Sequence, residues 1–240
     1  MHTLIITGSD TGIGKTRVTG LLAAWLPRPG ESVQIVKPVE TGVSVAGDGD
    51  AARAALQARE LRGEKIRIET HTLCRFPEPL APLAAAKRAG TVLDADTLLA
   101  GIHRLPACDW RLIEGAGGLA VPLDQDGRDW ADFAVALPEA HLVLVVPDRL
   151  GSVNQARLAV AYAHGKGLKG SLWLNENVPA EPAVREANRE GVAGIKEWPL
   201  FRLGYACDTP VDAGRTAAWY RSLPPAEPVV AAGRNNGSGN

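Results

Sequence analysis

A glycine-rich stretch near the N-terminus, TGSDTGIGKT at residues 7–16, combines residue types that bind phosphate. Gly8, Gly12 and Gly14 allow positive φ and a close backbone approach to a ligand, Lys15 supplies a point charge, and the Thr16 hydroxyl suits Mg²⁺. Five residues rather than four separate Gly8 from Gly14, so the common G-x-x-x-x-G-K-[ST] spacing is missed by one. The stretch predicts an anion site made by the N–H groups of residues 11–16, and the alternative is a turn without ligand.

Two acidic residues follow apolar runs and could hold a metal beside this loop. Glu114 closes the run in WRLIEGAGG, where phosphate-loop proteins normally carry a metal-coordinating acid, and the glycines after it, including Gly117, keep the backbone flat against a ligand. Asp50, in GDGDAARA, begins a predicted helix, and its position alone favours an N-cap. The two roles are compatible, so Thr16, Asp50 and Glu114 are predicted Mg²⁺ ligands.

Lys37, in VQIVKPVETG, ends an otherwise apolar run and precedes a proline. This position should direct its side chain from the carboxyl edge of a sheet toward Lys15, although an ordinary surface lysine at a strand end is the alternative. Two lysines at one site provide more positive charge than ATP binding requires. They indicate phosphoryl transfer that passes through a second anion.

The elements that must position these residues are short apolar runs alternating with helical patterns, which predicts an α/β fold, a single three-layer domain with a mostly parallel sheet. The predicted strands are HTLIITG, SVQIVKP, WRLIEGAGG, HLVLVVPD and GSLWLNENV. The predicted helices are Lys15 to Trp25, Ala51 to Leu61, Asp94 to Leu105, Trp130 to Leu137 and Ser152 to His164. Ligands of such folds bind at the carboxyl ends of the strands. Residues 1–223 are expected to form the domain and the low-complexity residues 224–240 a mobile tail.

The composition of the chain indicates which kinds of molecule it does not bind. The chain has 240 residues, 45% of them apolar, and a net charge of −1 without a basic stripe, so no nucleic acid partner is expected. Three cysteines, odd in number and far apart, predict neither a zinc site nor a disulfide framework. Without a signal-peptide pattern or a run of membrane-spanning length, we expect a cytoplasmic protein with no membrane partner.

Four segments in this order, GSDTGIGKT, KPVETG, EGAGG and LGSVNQA, closely resemble the dethiobiotin synthetases, whose fold is similar to that of the P-loop NTPases. The family loop reads G-[ST]-D-T-x-x-G-K-T, so the unusual spacing is a family feature; an acidic residue often stands where this chain has Gly12. The resemblance extends to LWLNENV and implies a cyclising ligase. This enzyme joins 7,8-diaminopelargonic acid with CO₂, using ATP and Mg²⁺, through a carbamate and a carbamic-phosphoric anhydride.

The resemblance also implies a role for particular residues of this chain. The ATP-binding set is Gly12, Ile13, Gly14, Lys15, Thr16, Glu114, Gly117 and Asn175, in which Asn175 pairs with adenine. The catalytic set is Lys15, Lys37 and Thr41. The substrate-binding set is Lys37, Thr41, Gly151, Ser152, Val153 and Asn154, in which the last four open a helix that binds the substrate carboxylate across a homodimer interface. Thr41 as a simple turn residue and Asn175 as a buried loop cap are the alternatives.

Other functions compete with this interpretation. A ParA-like or MinD-like ATPase switch shares the long loop, but its K-G-G-x-G-K-T signature has a lysine where this chain has Asp10. Amidoligases with a similar domain usually carry a further domain, for which 240 residues leave no room. A non-catalytic paralogue that only binds ligand is the third alternative.

Overall fold

The structure, a computed structural model, describes residues 1–43, 49–63, 66–138 and 140–225. The strands are β1 (His2–Gly8), β2 (Ser32–Thr41), β3 (Arg67–Phe76), β4 (Trp110–Glu114), β5 (His141–Pro147), β6 (Gly170–Asn175) and β7 (Leu200–Leu203). The helices are α1 (Lys15–Trp25), α2 (Asp50–Arg62), α3 (Pro82–Arg88), α4 (Ala95–His103), α5 (Trp130–Val135), α6 (Ser152–Gly165), α7 (Pro182–Ala193) and α8 (Ala213–Arg221).

All seven strands pair in parallel in one sheet, in the order β3-β2-β4-β1-β5-β6-β7. Successive residues of β1 face opposite layers: Ile5 packs with α3 to α7, and Leu4 and Ile6 pack with α1, α2 and α8. Both faces of the central strands are therefore buried, which explains why these strands appear in the sequence as continuous apolar runs. The predicted α/β class and three-layer sheet are confirmed.

Strand β2 is longer than predicted, and Lys37 does not end it. The pairing of β2 with β4 stops at Val36 opposite Ile113, whereas its pairing with β3 continues to Thr41 opposite Phe76. Beyond Val36 the strand therefore has a neighbour on one side only, where a proline such as Pro38 is tolerated. Lys37 is therefore the first residue of β2 that has no paired residue on the β4 side.

Five elements were not predicted. Strand β3, at the sheet edge, is mostly polar, and β7 has only four residues, so neither forms a continuous apolar run. Helices α3, α7 and α8 were also missed, since two of them begin at a proline and α8 lies where the sequence shows no clear pattern. From residue 226 onward, the predicted mobile tail lies outside the described residues. Within the described ranges, no helix is long and apolar enough to cross a bilayer.

Candidate active site

The phosphate loop joins β1 to α1, as predicted. Gly12 and Gly14 have φ values of 72° and 92°, a region that favours glycine. Gly8 serves the close-approach role only: its φ is not positive, and a Cβ there would collide with the Ile13 side chain and lie 2.8 Å from the Val145 carbonyl oxygen. The loop is thus shaped by three glycines for two different steric reasons.

Lys15 and Lys37 line one cavity of about 700 Å³ beside this loop. Lys15 is 7% exposed, and its Nζ donates to the Asp10 carbonyl oxygen at 2.7 Å. Lys37 is 3% exposed, and its Nζ lies 2.8 Å from both Asp50 Oδ2 and Glu114 Oε1. The surface-lysine interpretation of Lys37 is therefore wrong, because a buried ammonium held by two carboxylates is not a solvated strand end.

Strand register explains why Lys37 and Glu114 meet. Val36 pairs with Ile113, so the next residue of each strand, Lys37 and Glu114, lies just beyond the last position at which β2 and β4 pair. Glu114 Oε1 also accepts a hydrogen bond from Thr16 Oγ1 at 2.9 Å. One carboxylate oxygen thus connects the phosphate loop to the lysine of β2, while Glu114 Oε2 is buried without a hydrogen-bond partner among the described residues.

Asp50 does not cap α2, which corrects the N-cap interpretation. The N-cap is Gly49, and the Asp50 carboxylate contacts Lys37 and Arg53 instead. The cap function belongs to Glu40 of β2, which is 1% exposed and accepts a hydrogen bond from the Asp50 backbone N–H. Because Glu40 satisfies the helix end, the Asp50 side chain is free to enter the cavity.

Burial and charge act in opposite directions on these groups. Burial tends to lower the pKa of Lys37, but the charges of Glu114 and Asp50 outweigh it, so its pKa is raised and the ammonium stays protonated. Burial tends to raise the pKa of Asp50, and Lys37 and Arg53 bring it below its usual value. For Lys15, burial and the positive charge of Lys37 together lower the pKa to about 8. Lys15 is therefore a buried cation whose described hydrogen bond goes to a carbonyl oxygen, as expected where an anion binds.

The remaining walls combine polar loop residues with an apolar rim. Thr41 lies at the end of β2, and Gly117, with φ 74°, follows β4; both line the cavity. Mg²⁺ prefers oxygen ligands and usually takes one or two carboxylates together with substrate phosphates, so Thr16, Asp50 and Glu114 are a suitable donor set. The apolar side is made by residues 79–82, before and at the start of α3.

Asn175 lies on the other side of the phosphate loop, at the end of β6. Its side chain is fully buried, its Nδ2 donates to the Ile13 carbonyl oxygen at 2.7 Å, and its Oδ1 accepts from Arg17 Nη1 at 3.2 Å. Nearby, Asn177 Nδ2 donates to the Gly12 carbonyl oxygen at 3.2 Å. Two asparagine side chains therefore hold the phosphate loop through its backbone carbonyl oxygens.

The predicted substrate residues 151–154 do open α6, with Gly151 as N-cap at φ 94°, but they do not join the lysine cavity. The Ser152 hydroxyl is used locally, since it accepts from the Arg149 N–H at 2.9 Å and donates to a neighbouring carbonyl oxygen. Asn154 lines a second cavity, of about 530 Å³, on the far side of residues 8–11. Thr11 lines both cavities.

Sequence reasoning missed three side chains of this site. In the sequence-based interpretation, Thr11 has a role only through its backbone N–H. Its position between Gly8 and Gly12 of the loop is a signal that its side chain faces a ligand site. Arg17, two residues after Lys15, could have been noticed as a cation in the first turn of α1. No sequence signal identifies Glu40 as the cap of α2, because the contact joins residues from two elements.

The chain is similar to known proteins over most of its length. A family model described as "AAA domain" matches residues 2–195. The "ATP-dependent dethiobiotin synthetase BioD" of Rhodococcus erythropolis is 39% identical over 206 residues, covering 85% of this chain and 88% of that protein. The protein of the same name from Mycobacterium sp. (strain JLS) is 36% identical over 227 residues, covering 91% and 95%.

A solved plasmid partition protein from Borrelia burgdorferi superposes with a TM-score of 0.52, over 92% of this chain and 96% of that one, at 11% identity. At that identity the likeness shows a shared fold only. The relatives at 36% and 39% identity match over most of their own length. This chain belongs to the dethiobiotin synthetase family.

Proposed function

We propose that this protein catalyses the ATP-dependent carboxylation and ring closure of 7,8-diaminopelargonic acid with CO₂ to form dethiobiotin, in the cytoplasm. The observation that carries the proposal is the pair of buried lysines beside the phosphate loop, Lys15 at 7% and Lys37 at 3% exposure. Nucleotide binding alone needs the first. A reaction in which a second anion meets the γ-phosphate needs both.

The phosphate loop and Lys15 bind the triphosphate. Residues 12–16 precede and begin α1, so their N–H groups and the helix dipole favour an anion at this end of the helix. Glu114 and Gly117 complete this side of the nucleotide site. The burial of Lys15 supports this role, because a triphosphate would stabilise an ammonium whose pKa is lowered by burial and by the charge of Lys37.

Mg²⁺ would be held by Thr16, Asp50 and Glu114 together with phosphate oxygens. When bound, it neutralises charge on the transferring phosphoryl group. The unpartnered Glu114 Oε2 supports this assignment, because a buried carboxylate oxygen without a hydrogen bond is costly unless a ligand completes it. If Glu114→Gln left the Mg²⁺ dependence of turnover unchanged, Glu114 would be a structural residue.

The reaction proceeds in three steps, each with an anion to stabilise. One neutral amine of the substrate attacks CO₂ and loses a proton, which gives a carbamate. A carbamate oxygen attacks the γ-phosphorus and ADP departs, leaving a carbamic-phosphoric anhydride. The neighbouring amine then attacks the carbonyl carbon, and the ring closes as phosphate leaves. Lys37 would hold the carbamate and the transferring phosphoryl group, with the Thr41 hydroxyl donating to the same oxygens.

The substrate carboxylate would bind the N–H groups at the start of α6, at residues 151–154, contributed by the second subunit of a homodimer. Two observations support this arrangement. The α6 terminus lies outside the lysine cavity, and exposed apolar side chains lie before it and along the helix: Leu150, and Leu158 and Tyr162 four residues apart, are 83%, 64% and 37% exposed. Sedimentation should find a dimer that Leu158→Glu dissociates.

One assay tests the reaction directly. Purified protein is incubated with 7,8-diaminopelargonic acid, bicarbonate and MgATP, and dethiobiotin is sought by mass spectrometry. Product that requires all three substrates supports the proposal. ATP hydrolysis that ignores the diamine would indicate a switch ATPase instead, and nucleotide binding without either reaction would indicate a non-catalytic paralogue.

A further inference from the structure

Arg53, near the start of α2, adds a cation to the lysine cavity. It lines this cavity together with Lys15, Lys37 and Asp50, and its side chain is 57% exposed. A positive charge near the N-terminus of a helix is disfavoured by the helix dipole, so helix stability does not account for an arginine at this position. The position is better explained by the charged groups that Arg53 meets in the cavity.

The Asp50 carboxylate is shared between two cations. Its Oδ2 lies 2.8 Å from Lys37 Nζ, and its Oδ1 forms an ion pair with Arg53 Nη2. Because the two oxygens belong to one carboxylate, the guanidinium lies close to the Lys37 ammonium although the two groups repel each other. An anion that contacts Lys37 from the cavity is therefore also within reach of Arg53.

The guanidinium can bind such an anion without a change in the rest of the site. An arginine carries five N–H donors in a planar fork, so pairing of Nη2 with Asp50 does not use up its capacity. Lys37 is buried between Asp50 and Glu114, and moving it would leave a buried charge unpaired. Arg53 is more than half exposed, so its side chain can move toward an incoming phosphate and stay hydrated.

We propose that Arg53 is a further catalytic residue, whose guanidinium donates to the oxygens of the terminal phosphate as this group moves from ADP to the carbamate. In this step the bond from the γ-phosphorus to the β,γ-bridging oxygen breaks and ADP keeps the electron pair, while a bond to the carbamate oxygen forms. Negative charge is then spread over the three other oxygens of the phosphoryl group, and a planar fork of donors suits them. This inference rests on the proposed function.

The first test measures binding, so it does not depend on turnover. Dissociation constants for ADP and for the β,γ-imido analogue of ATP are measured with Mg²⁺ by calorimetry, and their ratio reports the contribution of the terminal phosphate. Arg53→Gln should lower the preference for the ATP analogue by about tenfold, the effect of one hydrogen bond to a charged group, and leave ADP affinity as it is. Arg53→Lys keeps the charge and should recover part of the loss.

Arg62→Gln is the matched control. Arg62 lies in the last turn of α2, and it is absent from the described residues that line the lysine cavity. The variant removes the same charge from the same helix at its opposite end, so the ratio should stay at its wild-type value.

A double-mutant cycle separates direct contact from an effect through Asp50. Arg53→Gln is introduced into Asp50→Asn, and the ratio of the two dissociation constants is compared with that of Asp50→Asn alone. If Arg53 contacts the phosphate, the additional loss should persist in this background. If Arg53 only positions the Asp50 carboxylate, the loss should disappear, and the inference would be wrong.

Two further outcomes would overturn the inference. An unchanged ratio in Arg53→Gln would leave Arg53 a structural partner of Asp50, whatever the wild type catalyses. Failure of ADP and of the ATP analogue to bind the wild type would remove the nucleotide site and this inference with it. A lowered ratio in Arg53→Gln, with no dethiobiotin formed by the wild type, would support the phosphate contact and remove only the proposed reaction.

Discussion

The two sides of the phosphate loop are built from different chemistry. On the β2 and β4 side, Lys37, Asp50 and Glu114 form ion pairs at 2.8 Å in a buried environment. On the β6 and β7 side, Asn175 and the carbonyl oxygens after β7 make neutral contacts, and even Arg17 binds uncharged acceptors. The first side has a high desolvation free energy, because each buried charge loses its bound water.

Under the proposed function, this difference reflects what each side must do. Charge moves during carbamate formation and phosphoryl transfer, and prearranged charges stabilise such a transition state most effectively where water is excluded. A base only has to be bound, and dipoles suffice for that. Substitutions on the lysine side should therefore change turnover, whereas substitutions on the base side should change affinity or selectivity.

The largest effect is expected for Lys37→Gln. Its kcat should fall by about 10³, because the missing interaction grows as charge develops, while ATP affinity changes little. Lys37→Arg should also be poor, since a planar guanidinium cannot replace a compact ammonium between two carboxylates. Steady-state kinetics with calorimetric ATP binding would test both, and Lys166→Gln, which breaks the ion pair with Asp132, is the control. A wild-type kcat would return Lys37 to a structural role.

Lys15→Ala should come next, with kcat/KM reduced by about 10² or more. Unlike the Lys37 variants, it should weaken ATP binding as well, because Lys15 contacts the phosphates in ground and transition states alike. Adenosine, which lacks phosphates, should bind both proteins equally in a competition assay. Near-normal turnover would contradict the assignment of the phosphate loop.

Glu40→Ala should have an effect of intermediate size, limited to the Mg²⁺ requirement of the reaction. Without the acceptor for the Asp50 N–H, Asp50 loses its position, and the Mg²⁺ concentration for half-maximal activity should rise about tenfold. Glu40→Gln keeps an acceptor oxygen and should recover most of the loss. Glu69→Ala, at a side chain 64% exposed on β3, is the control. Equal Mg²⁺ curves for Glu40→Ala and the wild type would mean that α2 holds Asp50 by itself.

The smallest effect is a pH dependence of ATP affinity. The pKa of Lys15 is about 8 in the free protein, against 10.5 for an ordinary lysine, and bound phosphates should raise it. Binding therefore takes up a proton above pH 8, and ATP affinity should fall about threefold between pH 7.5 and 8.5. Adenosine affinity should stay flat. A similar fall for adenosine would place the titrating group elsewhere.

The lowered pKa of Lys15 makes the free energy of unfolding change with pH in the opposite direction to ATP affinity. Between pH 8 and 10.5 the unfolded chain binds more protons at Lys15 than the folded one, so this residue makes unfolding harder as the pH rises through that window. Denaturant unfolding of the ligand-free protein should therefore show a rising contribution that Lys15→Met abolishes. Ligand binding and folding stability thus respond to pH in opposite directions through one residue.

Much of the lysine side could be predicted from the sequence. The local pattern indicates the phosphate loop, because GIGKT is a glycine-rich turn before a helix. It also indicates Glu114, because WRLIE is an apolar strand that ends in an acid. Both patterns can be recognised from neighbouring residues alone. The Asp50 cap was predicted wrongly for the converse reason. Its competitor, Glu40, lies on another element, and only the packing of α2 on β2 brings the two together.

The sequence by itself determined the class of fold, the phosphate loop and the identity of the charged residues, because these follow from periodicity and residue type over short spans. Only the tertiary structure decided how those residues are paired. That Lys37 lies between Asp50 and Glu114, and that Arg17 engages Asn175, depends on strand order and register. The residues in these contacts lie up to 158 positions apart along the chain. No local pattern encodes such a pair, because each partner is compatible with many others until the sheet aligns them.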